Sequence, residues 1–590
     1  MPMDAATAPY QVVLHDPAAG QWIGFRNAHE IIVCRRLDEI ASALSRIEKL
    51  VHEKGWHAAG FLSYEAAPAF DSALRTHAAP DNIPLLWFGL YSAPDALELP
   101  PPDFGAYSLG EILSSVSRPD YERAICRIRE YILFGETYQV NYTLRLRTRL
   151  SGDPWHLFLA MARAQSPGYA AWIETGRHWI CCASPELFFR LEGRRLTGKP
   201  MKGTVKRGRT LGEDETLAQW LRGSEKNRAE NLMIVDMIRN DLGRVAETGT
   251  VRVARLFEVE RRPTLWQMTS TVEADCTKPV GEILAALFPC ASITGAPKVR
   301  TTHIISELEP DPRGIYTGSI GFIAPGRSAQ FNVAIRTAVV NRLSRQLEYG
   351  AGGGIVWDSE PGDEYAEALL KARVLTERYP EFSLLETLLW TPEEGYFLLE
   401  YHLRRLADSA RYFAYRADTG LIRSRLDALA SGFGGRPQRV RLLLGADGIP
   451  VLQVAELASR GADGPVIVGI AASAVNSSDI FLYHKTTRRE VYEAAQQACP
   501  DCDDVLLWNE RGELTESCIA NLVLEMDGIL YTPPVSSGLL AGTFRALLLE
   551  QGRIRERVIR FEDLKRCGKI YLINSVRKWQ ECQLLNVSTF

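Results

Sequence analysis

Apolar positions along this chain fall into short runs of strand length separated by stretches with helical spacing. Gln11-Val12-Val13-Leu14, Glu30-Ile31-Ile32-Val33 and Leu85-Leu86-Trp87-Phe88-Gly89-Leu90 have the length and apolar density of strands, and residues 37–53 between them have the spacing of an amphipathic helix. Pro94, Pro100, Pro101 and Pro102 interrupt the pattern, which predicts a surface connection over residues 92–104. Further on, the spacing predicts helices over 121–134 and 228–240, a strand over 329–340 and a helix over about 363–378. A fresh strand opens at 382–390, so a boundary is expected near Tyr379-Pro380-Glu381, with domains 1–380 and 381–590. The second domain restarts an α/β pattern of its own, and no fixed-period repeat or low-complexity tract joins the two.

A chain of 590 residues is expected to hold more than one domain. Its 68 basic and 72 acidic residues leave a formal charge of -4, which gives no electrostatic reason to expect a nucleic-acid or acidic-membrane partner. No apolar run approaches the ~18 residues of a membrane span, and Met1-Pro2-Met3-Asp4-Ala5-Ala6-Thr7 shows no basic leader, so a cytoplasmic location is expected. The eleven cysteines are scattered and odd in number, which fits reduced thiols. The single CxxC, Cys499-Pro500-Asp501-Cys502, lacks a second ligand pair and is assigned no function.

Lys202, in Pro200-Met201-Lys202-Gly203-Thr204, holds a flexible amine between a turn-forming proline and a glycine and is read as a nucleophile. By itself the run would read as a basic hairpin, because Lys199, Lys206, Arg207 and Arg209 crowd it. The chain then continues through Arg228-Ala229-Glu230-Asn231, Ser292-Ile293-Thr294-Gly295-Ala296-Pro297-Lys298 and Gly352-Gly353-Gly354-Ile355-Val356-Trp357. Together these motifs resemble the chorismate-utilising enzymes over residues 117–378. The resemblance implies an α+β fold for this half, with two large, mostly antiparallel sheets packed face to face and helices outside. It implies chorismate as substrate, Lys202 as covalent nucleophile, Glu186 as general acid and Gln139 as the glutamine of ammonia-using members. Thr294, Tyr316, Arg336, Gly352, Gly353 and Lys371 are implied at the substrate. Arg336 alternates with apolar neighbours as an inward-pointing strand residue would, and a buried arginine requires an anion. Glu364 and Glu367, three apart on one helix face, and Glu230 on another helix are the implied ligands of Mg2+. Lysine at position 202 is similar to the para-aminating members, whereas the anthranilate-forming members carry alanine there. Gln267 and Asn227 depart from the family, standing where a histidine and an acid are common. No cysteine lies in a glutaminase elbow, so a separate glutamine amidotransferase subunit supplying ammonia is the expected partner.

The second half carries Leu399-Glu400-Tyr401-His402-Leu403-Arg404-Arg405-Leu406, Tyr483-His484-Lys485-Thr486-Thr487, Gly512-Glu513-Leu514-Thr515-Glu516-Ser517 and Gly538-Leu539-Leu540-Ala541-Gly542-Thr543. In this order they resemble the fold-type IV pyridoxal phosphate enzymes, a smaller α/β fold. The resemblance implies pyridoxal 5'-phosphate as cofactor and Lys485 as the lysine that bonds to it and moves the proton. Glu516 is then placed at the pyridine nitrogen, and Gly542, Thr543, Arg405 and Ser575 at the phosphate. A lyase and an amino-acid transaminase share these contacts, so the reaction stays open at this level.

Overall fold

The computed structural model describes residues 11–585 apart from 81, 166–167, 380 and 458–463. Met1 to Thr7 and Pro380, on which the leader and boundary expectations fall, lie outside the described residues. The chain forms two units, residues 1–206 with 218–380, and residues 207–217 with 381–590.

The first unit is built on an eleven-stranded and a ten-stranded sheet. Val12, Leu14, Ile173 and Ile180 of one meet Phe61, Trp87 and Ile320 of the other in a shared apolar layer, as two sheets must when each buries one face. The outer faces are covered by helices. Ile40–Lys54 and Glu225–Gly243 pack on the ten-stranded sheet, and Arg118–Leu133 and Pro154–Ala164 on the eleven-stranded one. The long strand Gln139–Gly152 pairs antiparallel with Gln346–Ile355, Val140 opposite Ile355 and Thr143 opposite Gly352. That pairing carries Gln139 to the glycine run.

Residues 329–340 are not one strand. Ser328–Val333 lies in the ten-stranded sheet and Thr337–Asn341 in the eleven-stranded one, and the chain crosses between them at Arg336, whose φ is 52°. Arg336 therefore sits at a corner rather than in an alternating strand; the apolar alternation continues past the turn and hides it. The helix expected over 363–378 is Pro361–Ala372 followed by a short 3-10 turn, Arg373–Leu375. The connection over 92–104 contains a three-residue strand, Asp95–Leu97, added to the edge of Gln21–Phe25. Cys499 and Cys502 are joined by a disulfide, the one departure from reduced thiols.

The second unit combines a four-stranded antiparallel sheet, backed by helices Leu399–Phe413 and Thr419–Ala430, with an eight-stranded mixed sheet whose strand Val466–Ile470 runs parallel to both neighbours. Arg207–Leu217 belongs to this unit. Arg207 forks onto Asp214 at 2.7 Å and stacks over Tyr412, whose hydroxyl donates to the Gly208 carbonyl at 2.6 Å. Tyr412 in turn covers the ring of His484, the neighbour of Lys485.

Candidate active sites

Lys202 sits in a β-bulge. The strand Met201–Lys206 pairs Met201 with Thr269 and Thr204 with Gln267, so Lys202 and Gly203 oppose the single residue Met268. Gly203 takes φ 90°, which a side chain would resist. A bulge strands backbone carbonyls, and two buried carboxamides take them up. Gln267 Nε2 donates to the Gly203 carbonyl at 2.9 Å and Asn231 Nδ2 lies 3.5 Å from the Lys202 carbonyl. Ser270 Oγ donates to Asn231 Oδ1 at 2.5 Å and so fixes which way that amide faces. Gln267 thus has a structural task at the position where the family's histidine was expected.

The bulge turns the Lys202 amine onto the glycine run. A Cβ on Gly354 would come 2.7 Å from Lys202 Nζ and would collide with Gln139 Nε2, while one on Gly353 would meet Glu364 Oε2 at 3.0 Å and Lys371 Nζ at 3.7 Å. Lys202, Gln139, Glu364 and Lys371 therefore converge around the end of one strand, and the ring of Tyr316 packs on Gly350, three residues before Gly353. Burial lowers the Lys202 pKa, with Lys371 adding to the effect against Glu230, Glu186 and Glu367. Burial also raises Glu186 to about 7, and its Oε1 has no hydrogen-bond partner. Gln139 Nε2 is likewise buried without a partner. An amine shifted toward its neutral form beside a carboxyl that holds its proton near neutrality is the protonation pattern of a nucleophile and an acid.

The remaining expected positions are placed less evenly. Burial lowers the Arg336 pKa, and no carboxylate pairs with it among the described residues. Thr294 is fully buried with its hydroxyl donating to the Cys290 carbonyl at 3.0 Å. Lys371 donates to the Gly352 carbonyl at 2.9 Å and pairs with Glu367 at 2.8 Å. Burial raises Glu364, whereas Lys371 lowers Glu367. Glu230, Glu364 and Glu367 all face the Lys202 region, but among the described residues no group of three acidic, histidine or cysteine side chains is close enough to hold a metal ion. The donor chemistry suits magnesium, while the packing, with Glu367 held by Lys371, does not assemble a site.

In the second unit Lys485 opens into a cavity of about 490 Å3 lined also by Arg405, Glu516, Gly542, Thr543 and Ser575. Burial, then Arg405, brings Lys485 down to about 8. Burial lifts Glu516 to about 7 against hydrogen bonds from the Leu540 amide at 3.2 Å and the Tyr492 hydroxyl at 2.9 Å. Gly542 caps the helix Thr543–Glu550 with no side-chain cap hydrogen bond, which offers the backbone amides of a helix N-terminus to an anion. Ser575 hydroxyl donates to the Thr387 carbonyl at 3.4 Å. A lysine, a carboxyl and an anion-binding helix start around one cavity fit a phosphorylated pyridine aldehyde. The sequence reading missed Tyr492, which orients Glu516, and Arg439 and Arg441, which line the same cavity. The two arginines alternate with the buried Val440 and Leu442, a signal visible in sequence.

Two family profiles match the chain: chorismate binding enzyme over residues 9–377 and amino-transferase class IV over residues 383–585. Among curated relatives, a probable chloroplastic aminodeoxychorismate synthase of Oryza sativa subsp. japonica is 42% identical over 273 residues, which are 45% of this chain and 30% of that protein. Anthranilate synthase component 1 of Aquifex aeolicus (strain VF5) is 38% identical over 264 residues, 44% of this chain and 53% of that protein. The chain thus spans about a third to a half of these relatives. Anthranilate synthase component I from Streptococcus pneumoniae TIGR4 shares the fold of the first unit, with a TM-score of 0.53 at 23% identity over 64% of this chain and 94% of that one.

Proposed function

We propose, for a chain that belongs to the chorismate binding enzymes through residues 9–377, a first reaction that aminates chorismate with ammonia to 4-amino-4-deoxychorismate. The observation that carries this reading is the Lys202 amine, aimed by its bulge at Gln139 and lying in the field of Glu186. Lys202 adds at one ring carbon while the hydroxyl leaves from another, taking a proton from Glu186. Ammonia, held by Gln139, then adds at the vacated carbon and expels the lysine, which directs nitrogen to the para position. Arg336 and Tyr316 receive a substrate carboxylate. Mg2+ would be held by the oxygen-only donors Glu230, Glu364 and Glu367 once Glu367 is released from Lys371, and would supply counter-charge to a substrate carboxylate. Ammonia is supplied by a separate glutamine amidotransferase subunit, and the reactions take place in the cytoplasm.

The second reaction removes pyruvate from that product to give 4-aminobenzoate, which places the chain in folate synthesis. Pyridoxal phosphate, when bound, supplies an electron sink. Lys485 holds it and, once displaced by the substrate amine, removes the ring proton next to nitrogen. Glu516 faces the pyridine nitrogen. Arg439 and Arg441 support a substrate with more than one carboxylate over an apolar amino acid. Product analysis with chorismate and ammonium salt tests the whole reading. 4-Aminobenzoate and pyruvate in equal amounts are expected, with no turnover on glutamine alone and none in excess chelator. Anthranilate as the product would establish the other reading, an anthranilate-forming enzyme joined to a transaminase.

A further inference from the structure

We propose that Glu386 and His402 are positioning residues that fix the phosphate grip of the second site before any phosphate arrives. The proposal rests on the reading that this unit binds pyridoxal phosphate. Neither residue lines the cavity, and both are 1% exposed. Glu386, on the strand Leu384–Thr391, accepts a two-pronged bond from Arg405, Nε to Oε1 at 2.9 Å and Nη2 to Oε2 at 2.6 Å. Its Oε2 also accepts from His402 Nδ1 at 2.6 Å. Arg405 Nη1 donates to the Ala541 carbonyl at 3.1 Å, and His402 Nε2 lies 3.4 Å from Thr543 Oγ1.

These contacts close a ring: Arg405 to Ala541, along the chain to Thr543, across to His402, on to Glu386 and back to Arg405. Arg405 and Thr543 face the cavity where a phosphate belongs; Glu386 and His402 hold them from behind. Of the five guanidinium donors three are committed within the ring, which leaves two for an anion. Burial would raise the Glu386 carboxyl, but Arg405 first, together with the hydrogen bond from His402, outweighs it and holds it at about 2, while burial lowers His402 toward its neutral form. With Nδ1–H given to Glu386, a neutral His402 presents Nε2 as an acceptor, and the Thr543 hydroxyl proton goes there, fixing that rotamer. The alternative is a buried ion pair that only ties the strand to the helix Leu399–Phe413.

The two roles separate when the full-length apoprotein is titrated with pyridoxal phosphate and with pyridoxal, followed by the absorbance of the bound chromophore and by apoprotein melting. For Glu386→Gln and, as a second variant, His402→Gln, affinity for pyridoxal phosphate should fall by about tenfold or more while affinity for pyridoxal stays within about twofold of the wild type. Inorganic phosphate should also compete less well against the variants. Equal losses for both chromophores, or no loss for the phosphorylated one, would overturn the positioning role. A wild-type chain that takes up neither chromophore would overturn the cofactor reading itself, and the proposal with it.

Discussion

Two partly buried lysines carry the proposed chemistry, and desolvation lowers the pKa of both, with a different neighbouring cation adding to it in each case. At Lys202 burial and Lys371 work against three glutamates, whereas at Lys485 burial and Arg405 bring the amine to about 8. Below pH 8 Lys485 is an ammonium and cannot attack an aldehyde; above it the free amine can. Covalent capture of pyridoxal phosphate by the apoprotein should therefore speed up about tenfold per pH unit below 8 and level off above, and the Lys485→Ala chain should show no capture at any pH. A flat profile across pH 6–9 would count against the buried amine. At the first site Lys202→Ala should sharply slow aminodeoxychorismate formation and allow some ortho product, while Glu186→Gln should lower kcat by roughly 10²–10⁴-fold without changing which carbon is aminated. Full-rate para amination by Lys202→Ala would remove the nucleophile from the mechanism. These residues could be proposed from the sequence because each sits in a contiguous motif. Arg336 was legible as a candidate anion partner but its place at a corner was not, since its positive φ leaves no trace in the apolar alternation around it.

At the scale of elements, the bulge in Met201–Lys206 decides where the Lys202 amine points, and nothing in Pro200 to Thr204 shows what stabilises it. Its carbonyls are taken by Gln267 and Asn231, 64 and 29 residues away. Contacts over such separations are set by how strands and helices pack, not by local pattern, which is why Gln267 looked in sequence like the loss of an imidazole. Replacing Gln267 by leucine leaves the part-buried Gly203 carbonyl without its side-chain donor, at a cost of up to about 1–3 kcal/mol. The lysine should then lose its aim: kcat for amination should fall by more than the melting temperature implies, with KM for chorismate little changed. Gln267→His, which still offers an N–H, should recover part of the rate. Unchanged kcat in the leucine variant would show that the bulge holds without its amide. The ring around Glu386 was hidden for the same reason, because the spacing of His402 and Arg405 was visible but the strand residue joining them was not.

At the scale of the whole chain, two complete motif sets lie on two units, and the crossing of Arg207–Leu217 into the second could not be read from a sequence whose patterns break cleanly near residue 380. That segment begins one residue after the strand that carries Lys202, and its Arg207 and Gly208 bond to Tyr412, which covers His484 beside Lys485. The two proposed active sites nonetheless share no proposed catalytic residue, so we expect the two steps to be separable by mutation in the intact protein. In Lys485→Ala the lyase step should fall by several orders of magnitude while chorismate is still consumed, and aminodeoxychorismate should accumulate. Adding the Lys202→Ala protein should restore 4-aminobenzoate, because that variant keeps the second site and a released intermediate can diffuse to it. Stopped-assay chromatography reads both outcomes. If chorismate consumption were lost as well in a Lys485→Ala chain with wild-type melting behaviour, the second site would be shown to control the first. Arg207–Leu217, which follows the nucleophile strand directly and packs in the second unit, would then be the segment to mutate next.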